Sequence, residues 1–376
     1  MSTASAHPGA TSPRPALLRV AFLLALIGVV TALGVGGARY ARATALLLGL
    51  SGTEASWATL VTTDFAVETA EIAGEVSGAQ GTVRARVYRP IGVIERPRGM
   101  VLAHGVHWLG IDEPRLVGLA RAFARAGVTV VTPELAPLAD YRVDAEGNLD
   151  ALRASVRWLA RDPGVKAGGV GLVGVSFAGG LAQRVAAEPA VADDLAFVAS
   201  IGGHHDMPRV ARFFVTDRVA TPEGDVDWRA HDYGLAVLVY NAPERFVPAE
   251  DAPQLRVAVR AFLRESYRQA ELESLALSPP ARAVFDRILH RDRMALAATV
   301  LRELPSMAKT MQAASPAGRL ASVRVPLFLL HGAHDDVVPP SESRFSAAEA
   351  TGSRAVHLLV SSKIGHAELG KDESRF

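Results

Sequence analysis

A chain of 376 residues, 49% of them apolar, is long enough to bury a large core. Its 40 basic and 39 acidic residues nearly cancel, which removes the positive footprint that a nucleic-acid backbone demands of its partner. Cysteine is absent, so disulfides, thiolate nucleophiles and cysteine-held zinc are excluded, while the redox compartment stays open.

Residues 2–15 are rich in Ser, Thr, Pro and Ala. Val20 to Ala38 then form a 19-residue uncharged run, with Arg14 and Arg19 before it and Arg39 and Arg42 after it. As a helix, that length spans a hydrocarbon core. It exceeds the roughly 7–15 apolar residues of a cleaved signal core, so an N-terminal transmembrane helix serving as an uncleaved anchor is expected. The alternative is a secretory signal processed near the small residues Gly34 to Ala38. Two arginines on each side bias orientation weakly, and the globular part is expected outside the cytoplasm. Ala43 to Leu50 is too short to cross a bilayer and is expected to continue as a helix at the interface or on the globular domain.

From about residue 64, short β-branched runs alternate with helical patterns, the sequence form of an α/β protein with a mostly parallel sheet and helices on both faces. Thr82 to Tyr88 reads as an early strand. Met100 to Ala103 is a brief apolar strand running into His104 and Gly105. A helix follows over Pro114 to Ala126, closed by Gly127, and then a buried strand over Val128 to Val131. Leu149 to Ala160 carries Leu152, Val156 and Leu159 at helical spacing and stops at Asp162 and Pro163. Val170 to Val175 is a continuous apolar strand, Phe177 to Ala187 an alanine-rich helix, and Leu195 to Ile201 another strand ending in Gly202 and Gly203.

Beyond this point the grammar changes. Residues 207–322 read as amphipathic helices separated by prolines, without a convincing strand; one such helix is Gln254 to Tyr267, with Leu255, Val259 and Phe262 on one side. Sheet grammar resumes at Val325 to Leu330, passes a helix near Ser341 to Ala350 and closes with Val356 to Val360. The expected organisation is a tail and anchor (1–55), the first part of a sheet domain (56–206), a helical insertion (207–322) and the second part of the sheet domain (323–376).

Gly174, Val175, Ser176, Phe177, Ala178 and Gly179 stand where a buried strand turns into a helix. A serine there sits on a sharp bend that lifts its hydroxyl above the sheet, and small neighbours let strand and helix approach. The N–H of Phe177 opens that helix and points where an oxyanion would develop. With these residues in place the chain resembles an α/β-hydrolase over roughly residues 80–206 and 323–370, with G-x-S-x-A where the family usually has G-x-S-x-G.

The resemblance implies a catalytic triad in the order Ser, acid, His. Asp335 matches the family's acid, three residues after Gly332 in the loop that follows Val325 to Leu330; Asp336 is its nearest rival. His366, following the last strand, matches the family's general base. His104 and Gly105 match the H-G pair of the family's oxyanion loop, which implies Val106 as the second donor, with His107 next. His104, His107 and His205 are candidate substrate-pocket residues. Pairing of His104 with His107, or of His204, His205 and Asp206, as metal ligands is a weaker reading, and neither a metal nor a cofactor is expected. The insertion falls where the family places a lid.

The expectation is therefore a serine hydrolase of small-molecule esters, thioesters or lactones, with no nucleic-acid partner. A catalytically silent binding or scaffolding protein of the cell envelope is the alternative, and a metal-dependent hydrolase ranks last.

Overall fold

The computed structural model describes residues 37, 40–47, 56–76, 79–92, 95–290 and 292–366. Residues 1–62 and 63–376 form two separate compact units. In the first, residues 40–47 are helical and Ser56–Leu60 is a short 3-10 turn; Arg42 Nε donates to the Val61 carbonyl at 3.1 Å. The expected transmembrane run lies, Gly37 apart, outside the described residues, among which no helix is long and apolar enough to cross a membrane.

The second unit is built on an eight-stranded sheet. Its strands are β1 (Phe65–Val76), β2 (Ala79–Pro90), β3 (Arg98–Ala103), β4 (Val128–Pro133), β5 (Val170–Val175), β6 (Leu195–Ile201), β9 (Leu327–Gly332) and β10 (Val356–Ser361), in the order β1-β2-β4-β3-β5-β6-β9-β10. Only β2 with β1 and β2 with β4 pair antiparallel; the remaining neighbours are parallel. The central strands are apolar on both faces, as parallel strands covered by helices must be. Met100, Leu102 and Val130 pack towards helix Pro114–Arg125, while Val101, Ala103 and Val131 join the larger core on the opposite face, against helices Ala145–Ala160 and Phe177–Ala186.

Three features differ from the sequence reading. A twelve-residue edge strand, β1, precedes the expected first strand. Residues 207–322 carry a small hairpin, β7 (Arg218–Thr221) with β8 (Gly224–Asp227), besides their helices. The helix expected over Gln254 to Tyr267 is two helices, Ala252–Leu263 and Tyr267–Ser274. Glu265 takes φ 57°, its N–H donates to Phe262 O at 2.9 Å, and Ser266 N–H donates to Ala261 O at 3.0 Å. This paired closure ends the first helix, with a glutamate where glycine is usual.

A buried clamp ties the exit of β6 to helix Ser341–Glu349. The Glu342 carboxylate, 1% exposed, accepts the N–H groups of His205 and Asp206, both at 2.8 Å, and Arg209 Nε at 2.6 Å. Removing the carboxylate strands one cation and two amides. Glu342→Ala is therefore expected to lower unfolding stability in urea by about 3–5 kcal/mol; a loss below about 1 kcal/mol, the scale of an exposed ion pair, would contradict this picture.

Candidate active site

Ser176 joins β5 to helix Phe177–Ala186 at φ 54° and ψ −128°. Positive φ is costly for any residue with a Cβ, and the bend is held by Ser176 N–H donating to Ile201 O at 2.7 Å and Gly179 N–H to Ser176 O at 2.8 Å. A side chain on Gly174 would collide with the Ala178 carbonyl, and one on Gly179 would lie 2.9 Å from Gly203 Cα. Ala178, by contrast, buries its methyl completely without disturbing the bend, so alanine at the last position of the motif is sterically accommodated.

Three side chains separated widely along the chain meet above this bend. Ser176 Oγ lies 2.8 Å from His366 Nε2, and His366 Nδ1 lies 2.7 Å from Asp335 Oδ2 and 2.9 Å from Oδ1. Asp335 is buried in the loop after β9, where Oδ1 accepts the N–H groups of Val337 and Val338 at 3.0 and 2.8 Å. His331 Nε2, 2.8 Å from Val338 O, stands 3.4 Å from Asp335 Oδ2. Burial alone would push the Asp335 carboxyl up, yet the imidazoles of His366 and His331 together hold it well below the usual carboxylate range. For His366, burial works against the charged ring, but Asp335 outweighs it and the pKa is raised. Asp336 does not contact the imidazole: its carbonyl accepts His231 N–H at 2.8 Å, and burial raises its own pKa.

Phe177 N–H, in the first position of its helix, and Val106 N–H have no acceptor among the described residues. A Cβ on Gly105 would sit 3.0 Å from Ser176 Cβ, so the loop carrying Val106 runs directly beside the serine. Tyr233, from helix Tyr233–Asn241 of the insertion, places its hydroxyl 3.4 Å from Val106 O; the sequence reading missed it, because the two residues are 127 positions apart.

Two of the three expected pocket histidines are committed elsewhere. His104 is buried and binds Gly105 O through Nδ1 and Leu135 N–H through Nε2. His205 uses Nε2 on Glu349 at 2.6 Å and Nδ1 on Arg209 at 3.1 Å. Neither has a ring nitrogen left for a ligand. His107 is half-buried, its Nδ1 accepting Leu109 N–H at 3.2 Å, and burial lowers its pKa. His204, His205 and Asp206 do not converge on a common point. His204 Nε2 donates to Ala314 O at 3.1 Å, its ring packs against Phe177, and burial brings its pKa down to about 4, while Asp206 caps helix Met207–Thr216 through Arg209 N–H. A surface cleft of about 840 Å³ beside Arg153, Arg157, Trp158 and Arg161 includes none of the residues around Ser176.

No protein-family model matches the chain, and no curated protein does. Among solved structures, a candidate hydrolase from Legionella pneumophila superposes with TM-score 0.56 and 15% identity, covering 86% of this chain and 90% of that one. The chain has the α/β-hydrolase fold. An esterase from Pyrobaculum calidifontis gives TM-score 0.45 with 18% identity over 87% of this chain and 82% of the other. The acylaminoacyl peptidase of Pyrococcus horikoshii gives 0.46 with 13% identity over 81% of this chain, which spans only 38% of the peptidase.

The electrostatics of the site are directly measurable. An NMR titration of the His366 ring is expected to show a midpoint above the ordinary imidazole value of about 6.5, because the adjacent carboxylate favours the charged ring. Asp335→Asn should move that midpoint down. An unchanged midpoint would contradict the contact.

Proposed function

We propose that the chain is a serine hydrolase that cleaves a carboxylic ester, or a related thioester or lactone, through Ser176, His366 and Asp335. The observation that carries this reading is the continuous relay of 2.8 Å from Ser176 Oγ to His366 Nε2 and 2.7 Å from His366 Nδ1 to Asp335 Oδ2. An ionised carboxylate only accepts hydrogen bonds, so Nδ1 carries the ring hydrogen and Nε2 turns its lone pair to the serine hydroxyl. That is the tautomer a general base needs.

In this reading Ser176 Oγ bonds to the substrate carbonyl carbon as its proton passes to His366, and Asp335 stabilises the imidazolium that results. The N–H groups of Phe177 and Val106 receive the negative oxygen of the tetrahedral intermediate. His366 then returns the proton to the leaving oxygen, the alcohol departs, and an acyl ester remains on Ser176. Water repeats the sequence, releasing the acid and restoring the serine. None of these steps calls for a cofactor.

Residues 207–322 act in this scheme as a lid that shapes the acyl or alcohol pocket. Two contacts support that role, Tyr233 with the Val106 loop and His231 with the Asp336 loop. We also propose that Val20 to Ala38 anchors the chain with its catalytic domain outside the cytoplasm; the support is the uncharged length of that run. Expressed full length, the protein should stay with membranes in alkaline carbonate and be freed by deletion of residues 2–38. Release of the full chain by carbonate would rule the anchor out.

A series of p-nitrophenyl esters of increasing acyl length tests the chemistry. The intact chain should turn over at least one member, and Ser176→Ala should cut that turnover by at least about 10³-fold. Turnover that survives the substitution would overturn the serine mechanism, and inertness of the intact chain towards the whole series would favour a silent binding protein.

A further inference from the structure

A cleft of about 840 Å³ opens between β1, one face of helix Ala145–Ala160 and the chain around Glu188 and Ala190, and none of the residues around Ser176 lines it. That volume is in the range that holds a small molecule. β1 reaches the helix there because Gly74 has no side chain: a Cβ would fall 2.7 Å from the Cβ of Ala154, and both residues line the cleft. Trp158 presents a half-buried indole to it, and Ala73, Ala154 and Ala190 supply small apolar surface.

Six charged side chains line the same cleft, and most of them are already paired. Arg153 donates Nε and Nη2 to Glu188 at 2.7 and 2.9 Å, and Nη1 to Asp150 at 2.5 Å. Glu188 accepts Arg184 Nη1 as well, at 2.7 Å. Asp162 is held by Arg89 at 2.8 Å and by the Gly164 N–H at 2.7 Å. Every acid of the cleft is therefore matched by an arginine. Arg157 and Arg161 remain, and neither side chain has an ion-pair or hydrogen-bond partner among the described residues.

Residues four apart on a helix share a face, so Arg153, Arg157 and Arg161 form one row, its first member neutralised and the next two bare. Arg157 is half-buried despite its unmatched charge. A guanidinium offers a planar fork of donors that fits the oxygens of a carboxylate or phosphate, and it stacks on aromatic faces. Beside Trp158, the two bare forks suit a ligand with an anionic head and an apolar body.

We propose that this cleft is a second binding site, for an anionic amphiphile whose carboxylate or phosphate head is taken by Arg157 and Arg161 and whose apolar body lies against Trp158. The site is separate from Ser176, and binding there does not depend on the ester-cleaving reading.

Calorimetric titration of the full-length chain with 1-naphthyl phosphate and 1-naphthoate tests it. At least one of these anions should bind, and the tighter of the two identifies the head that the cleft prefers. Replacing both arginines, Arg157→Gln together with Arg161→Gln, should weaken that binding at least about tenfold, the scale of a lost charge-assisted hydrogen bond. Inorganic phosphate and 1-naphthol, the head alone and the body alone, should each bind at least about tenfold more weakly than the better naphthyl anion. No binding of either anion, undiminished binding in the double variant, or equal binding of head or body alone would overturn the proposal. Modification of the unsubstituted protein by phenylglyoxal, mapped by mass spectrometry, gives a reading that does not depend on the variant folding. The bound anion should slow modification of Arg157 and Arg161 and leave exposed Arg121 unaffected; absence of that protection would overturn the proposal as well.

Discussion

Ser176 occupies a backbone region that costs a side-chain-bearing residue about 1–3 kcal/mol, and the surrounding sequence is arranged to hold it there. Gly174 lets the start of the helix cross the end of β5, Gly179 and Gly203 bring helix and β6 into backbone contact, and Gly105 brings the loop after β3 alongside Ser176. The bend is fixed from the next strand by the Ser176 N–H bond to Ile201 O. A parallel sheet is what makes this economical, because β3, β5, β6 and β9 all end on the same edge and deliver their loops to one place.

The imidazole and carboxylate depend on that edge as well. Asp335 is buried enough that an unpaired carboxylate would be expelled or protonated, yet two backbone amides and two histidines make the ionised form the favoured one. Its charge then determines which nitrogen of His366 bears the hydrogen. One buried charge thus sets the tautomer of one ring, and that ring turns its bare nitrogen to the Ser176 hydroxyl. Gly332 belongs to the same design, since a Cβ there would press on the backbone oxygens of Ile364 and Gly365, the approach to His366.

Much of this was legible in the residues alone. The strands Val170 to Val175 and Leu195 to Ile201 are uninterrupted apolar runs bounded by Gly, Ser or charged residues, and their limits match the structure. Ser176, Asp335 and His366 were legible because each follows a strand end and carries a local pattern. The edge strand β1 was not, because exposed Glu68 and Glu71 interrupt any apolar run that could be detected. The hairpin β7–β8 has four residues per strand, and Gly-Asp-Val-Asp carries almost no strand preference. Helix closure at Glu265 depends on a left-handed glutamate, for which composition offers no warning. The supporting contacts were hidden for another reason. His104 with Leu135, Tyr233 with Val106 and Glu342 with Arg209 are meetings of residues 31, 127 and 133 positions apart, fixed by topology and not by local pattern.

The central claim is that Ser176 is an activated nucleophile, its hydroxyl deprotonated on demand by an imidazole that a buried carboxylate has oriented. Mass-spectrometric mapping of the folded chain after exposure to a fluorophosphonate tests it most directly. The account predicts a single phosphonyl adduct on Ser176, formed rapidly at neutral pH and lost when His366 is replaced. An unmodified Ser176 in folded protein, or labelling that proceeds as fast without His366, would contradict it.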